Sequence, residues 1–185
     1  MPTTALHPTL PARSRLYFGN IPNNIGLIAG ERPAVVRVWY DDATIESGYY
    51  SSYRARPPRE PQAPDLFFRF DSTTGIREVF ADGRPDPVRG RDATWEDEHG
   101  RLAMTFVTSG DFRRAARLFD SLATLPHRAD AAMFAAVCHE VAGDSARAAA
   151  GYAVVRQRTG GSRQEFRDWA ARLRAAMPRR SPAVP

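Results

Sequence analysis

Cys138, His139 and Glu140 stand consecutively, the most suggestive grouping of a nucleophile, a base and an acid in the 185 residues of the chain. A thiol activated by an imidazole needs the two side chains to meet, and a metal ion needs several ligands to converge. Consecutive helical residues point about 100° apart, so this run makes neither site unaided. Cys138 falls on an apolar stripe and reads as a small core residue. The other histidines, His7, His99 and His127, fall in an N-terminal arm, near a turn and in a linker, where solvated positions are expected. Carboxylates gather at Asp41-Asp42 and at Glu96-Asp97-Glu98. Paired acids serve hydrolases, but they also open turns and first helical turns, and neither cluster has a metal-binding spacing.

Composition removes further chemistry. All 26 basic residues are Arg, which excludes Schiff-base lysines, a Walker-type phosphate lysine and Ser-Lys dyads. This Arg- and Ala-rich usage reads as a GC-rich bacterial coding bias. No Gly-x-Gly occurs, and Gly160-Gly161 is the single adjacent glycine pair, so no phosphate-cradling loop is visible. No cofactor and no metal are expected. With one cysteine there is no intrachain disulfide. Neither a signal-peptide core nor an apolar run of about 20 residues is present, so the expectation is a cytoplasmic protein without a membrane span, or an envelope protein if a leader has been removed. The net charge of +5 is uneven: residues 109–185 carry 13 Arg against 7 acids, and residues 1–108 carry 13 Arg against 14. A basic half attracts nucleic acid, an anionic membrane or an acidic protein.

Two grammars divide the chain. From Arg15 to about Trp95, short apolar runs alternate with turn residues, which predicts strands at 16–18, 25–28, 34–40, 44–50, 66–70 and 76–80. In AVVRVWY, alternation sends Val36, Val38 and Tyr40 to one face. LFFRF likewise groups Leu66, Phe68 and Phe70. The Pro-rich run 56–64 belongs to a loop or an edge. After Ser109 the period is 3.6. Phe112, Ala115, Ala116, Phe119 and Leu122 make one stripe; Phe134, Val137, Cys138 and Val141 a second; Ala148, Ala149, Tyr152 and Val155 a third. Phe166, Trp169, Ala170 and Leu173 make a fourth, opened by a capping box of Ser162 and Glu165. The segment 101–108 stays open between helix and closing strand, with helix the favoured reading.

Gly110-Asp111 through Ala115 and Phe119 recurs as Gly143-Asp144 through Ala148 and Tyr152, 33 residues later. This pattern resembles the tetratricopeptide repeat, whose second helix follows a Gly-Asp turn, with a small residue and then an aromatic at these offsets. The resemblance spans roughly residues 97–177 and implies two helix pairs plus a capping helix, with a protein-binding surface. In the first half, Tyr17-Phe18-Gly19 and Ser47-Gly48-Tyr49-Tyr50 with Tyr53 more loosely resemble a small antiparallel β domain of bacterial envelope proteins.

These readings predict an α+β protein: a flexible arm at 1–14, an antiparallel β-sheet or small barrel at 15–96, a helical array at 97–178 and a flexible tail at 179–185. The candidate contact residues are Arg163, Arg167 and Arg174, which share one stripe of the last helix, and the cluster Tyr49, Tyr50, Tyr53 and Arg54. The expected activity is non-enzymatic: an adaptor or inhibitor that binds another protein. Nucleic-acid binding through the basic half is the alternative, and a hydrolase in the β domain a further one.

Overall fold

A computed structural model of the chain describes residues 6–22, 34–56, 63–71, 73–80 and 93–160, together with residues 164, 168, 171, 172 and 175. The chain is α+β and divides into two compact units, Met1–Thr94 and Trp95–Pro185.

The first unit is built on β1 (Arg15–Gly19), α1 (Ala34–Tyr40), β2 (Glu46–Tyr49), β3 (Asp65–Asp71) and β4 (Gly75–Glu78), with a single 3-10 turn at Tyr50–Ser52. The strand order is β2-β1-β3-β4. The sheet is mixed, which corrects the antiparallel expectation. β1 pairs parallel with both β2 and β3, and β4 alone runs antiparallel, against β3. α1 falls in the connection between β1 and β2, as expected for a parallel pair, which cannot be joined by a tight hairpin.

AVVRVWY, expected as a strand, is that helix. Val36 and Tyr40 share a face under a period of two and also at i, i+4, so both patterns fit them; only Val38 separates the two. Val36 is fully buried, Tyr40 packs against the same core, and Val38 is 79% exposed. Asp41 ends the helix at φ +49, a left-handed conformation that Asp tolerates.

Both faces of the sheet are covered. Leu16, Phe18 and Phe68 form one core with Val36 and Ile45, packed around by Leu10, Ile21, Leu66 and Ile76. On the other face Tyr17 stacks on Phe67 at 5.2 Å, with Tyr53 against both rings. Double burial explains why LYF and LFF read as continuous apolar runs instead of alternating ones. Part of the expected arm belongs here too, since Leu10 packs on the core, Ser14 is fully buried and His7 contacts Glu78 at 2.9 Å. The expected strand at 25–28 lies outside the described residues.

The second unit includes α2 (Ala93–Thr108) from Trp95 onward, α3 (Phe112–Ala123), α4 (Ala129–Val141) and α5 (Ser145–Thr159). Segment 101–108 is helical despite its β-branched residues. Thr105 and Thr108 turn their hydroxyls back onto the carbonyls of Arg101 and Thr105 at 2.9 and 3.0 Å. The predicted stripe of α3 is buried at all five positions. α4 lies between α3 and α5 and is buried nearly all round, so its pattern is weaker than a one-sided stripe. On α5, Ala148 and Val155 are buried while Ala149 is exposed.

The 33-residue offset is repeated in the backbone. Gly110 and Gly143 take φ +77 and +87 after α2 and α4. Asp111 N–H donates to Phe106 O at 2.9 Å, and Asp144 N–H to His139 O at 2.8 Å. The Asp111 and Asp144 side chains then cap α3 and α5 by accepting from the amides of Arg114 and Arg147. Each helix pair is thus closed by the same left-handed glycine and N-capping aspartate.

Candidate functional site

The repeat is regular in its caps and irregular in the side chains beside them. Stepping 33 residues on, buried Phe106 is answered by His139, buried Phe112 by Ser145, and Arg113 by Ala146. Two large apolar side chains have become an imidazole and a hydroxymethyl. At the second turn His139 and Ser145 line a pocket of about 490 Å³.

One wall of the pocket is Arg113 and Arg117, one turn apart on α3 and both exposed. The last turn of α4 supplies His139, the turn after it Ala142 and Asp144, and the start of α5 Ser145, Ala146 and Arg147. The His139 side chain is only 7% exposed. Its Nε2 lies 2.8 Å from Asp120 Oδ2, and its Nδ1 4.0 Å from Asp144 Oδ2. An ionised carboxylate only accepts, so Nε2–H donates to Asp120 and the ring is locked in orientation. Asp144 accepts from the Arg147 amide at 3.1 Å and faces its guanidinium at 3.5 Å. The lining therefore holds three guanidinium groups against one carboxylate, an arrangement that favours an anion.

Cys138, next to His139 in the chain, is fully buried. Burial, with the negative charge of Asp120 adding to it, pushes its thiol up to about 12. It stays protonated at neutral pH and is no nucleophile.

The predicted contact residues fare differently. Arg163, Arg167 and Arg174 lie outside the described residues, as does the capping box. The tyrosine cluster is corrected: Tyr53 is 1% and Tyr50 6% exposed, because β2 ends at Tyr49 and the 3-10 turn folds both rings onto Phe67. Tyr50 O–H donates to Phe68 O at 2.7 Å. Tyr49 is half-buried; Arg54 is exposed and donates to Tyr53 O at 2.7 Å.

Beside this cluster, Arg15 donates twice to Asp65, at 2.8 and 2.9 Å, and Arg56 once, at 3.0 Å. Burial alone would lower the Arg15 pKa, but the Asp65 carboxylate outweighs it and the net shift is upward. Burial raises the Tyr17 phenol. This is a closed ionic latch that pins the chain after β2 to the sheet.

His99, expected at a solvated turn, is 1% exposed inside α2, stacked on Trp95 at 4.1 Å. His127 remains solvated, 62% exposed beside Glu96. Asp42 accepts from the Thr44 hydroxyl and amide, which hold it below the usual carboxylate range, as in a turn. Among the described residues, no three His, Cys, Asp or Glu side chains gather to hold a metal, and no helix is long and apolar enough to cross a membrane.

Sequence reasoning missed Arg113, Arg117, His139 and Arg147 as a group. The available signal was the 33-residue comparison itself, since a polar side chain at a position that is apolar in the sister repeat marks a place where packing has been given up. No known protein family, curated protein or solved structure matches the chain.

Proposed function

We propose that the protein is a non-enzymatic interaction module, working in the cytoplasm, whose helical unit docks an acidic segment of another protein. The observation that carries this reading is the pocket whose lining brings Arg113, Arg117 and Arg147, from two helices, together with the buried His139. Guanidinium forks match carboxylate geometry, and a basic concavity steers acidic partners toward it. The likeness of the repeated Gly-Asp turns to tetratricopeptide repeats supports the same reading, because stacked helix pairs present extended binding surfaces. Single strands of nucleic acid are held largely by stacking on aromatic rings, and the lining contains no Phe, Tyr or Trp.

The test is fluorescence anisotropy of the full chain with a labelled Glu/Asp-rich peptide, its Gln/Asn counterpart and a single-stranded oligonucleotide. The expected result is salt-sensitive binding of the acidic peptide alone, weakened by Arg113→Ala/Arg117→Ala. Oligonucleotide binding that survives the double substitution overturns the reading.

A further inference from the structure

We propose that this pocket takes a phosphomonoester, presented as a phosphorylated side chain of the docked segment; the inference rests on the docking reading above and adds the chemistry of the group bound. The charge already in the pocket supplies the argument. Asp144 places a carboxylate on its wall, 3.5 Å from the Arg147 guanidinium. A carboxylate ligand approaching Arg147 would exchange one such contact for another of the same kind. A phosphomonoester carries about −1.5 to −2 charge and three terminal oxygens, so it offers Arg147 more charge than Asp144 does and has further oxygens for Arg113 and Arg117.

The donors suit that shape. Arg113, Arg117, Arg147 and Ser145 all line the same concavity, and together they offer more donors than the two oxygens of one carboxylate can take up. The site is made of side chains rather than of the α5 N-terminus, whose Arg147 amide is occupied by Asp144. A volume of about 490 Å³ exceeds what a bare anion needs and matches the lower range of small-ligand clefts, leaving room for the stem that carries the phosphate. His139 borders this space with its ring fixed by Asp120, so the wall does not collapse into it.

The experiment is anisotropy with one labelled acidic peptide in three forms, bearing phosphoserine, glutamate or serine at its centre, and with inorganic phosphate as competitor. The proteins are the full chain, Arg113→Ala/Arg117→Ala, Arg147→Ala, and the charge-matched control Arg156→Ala/Arg172→Ala, whose residues are exposed and outside the lining. The phosphoserine peptide should bind about ten-fold or more tightly than the glutamate form, a gain lost in both pocket variants and kept in the control. Arg147→Ala alone keeps the inference testable should the double variant not fold.

Equal binding of the glutamate and phosphoserine forms overturns the phosphate inference and leaves the docking reading standing. No binding of any acidic form overturns both. Equal loss in the control reduces the effect to diffuse charge and overturns the site. Inorganic phosphate binding as tightly as the peptide overturns the phosphorylated side chain as its source.

Discussion

Gly151 on α5 faces Ala136 on α4 so closely that a Cβ built on the glycine would stand 2.8 Å from the alanine Cβ and 3.3 Å from its Cα. The two helices meet there through backbone, with no side chain able to swing aside. In an exposed helix, Gly→Ala gains up to about 1 kcal/mol from propensity. Here overpacking should win, and Gly151→Ala should destabilise by about 1–3 kcal/mol. Gly100 in α2 has nothing within 4 Å of an added Cβ, so Gly100→Ala should stabilise by about 0.5–1 kcal/mol. Thermal unfolding followed at 222 nm should move the two variants in opposite directions.

α1 offers a test of its own assignment. As a helix it buries Val36 and exposes Val38, at 0% and 79%; a strand would turn both the same way. Val38→Asp should change stability by no more than about 0.5 kcal/mol. Val36→Asp would bury an unpaired charge and should abolish cooperative unfolding of the first unit. Equal damage from both variants, read in urea melts, would return the segment to a strand.

Acid should weaken the second unit through Asp130. Burial alone would raise this carboxyl, but the two contacts from Arg128, both 2.9 Å, outweigh it and hold it below the usual range. A carboxyl with a depressed folded value stabilises the fold above its unfolded pKa of about 4 and loses that contribution as pH falls through the folded value. The gap in melting temperature between the wild type and Asp130→Asn should therefore be open at neutral pH and close in acid. A gap that does not change with pH would remove the ion pair as its cause.

Cys138 should be inert in the folded protein. Its full burial and a thiol pushed up to about 12 leave almost no thiolate, the reactive form, at neutral pH. A colourimetric thiol reagent should label it only as fast as the helical unit opens, and at once in denaturant. Immediate labelling of the native chain would mean that α4 is not packed on both sides.

Much of the helical unit was legible because its signals are local. The stripe Phe112, Ala115, Ala116, Phe119 and Leu122 and the Gly-Asp turns lie within a few residues of the contacts they specify, and the 33-residue offset repeats the turn. The pocket was not legible from the basic stripe. Arg113 and Arg117 are neighbours on α3, but Arg147 and His139 join them only when α4 and α5 fold back.

Read locally, the chain already fixed the three helical segments between Ser109 and Gly160, roughly where each ends, and the exclusion of lysine chemistry, because periodicity, capping and residue type need no distant partner. The tertiary structure alone decided three things: that β1 runs parallel to both its neighbours, that AVVRVWY is a helix, and that Tyr50 and Tyr53 are core. Short apolar runs carry no strand direction, and Val36 with Tyr40 satisfies two periods at once. Those choices are made by whichever closure buries both faces of the sheet, an interaction between segments that no single window of residues contains.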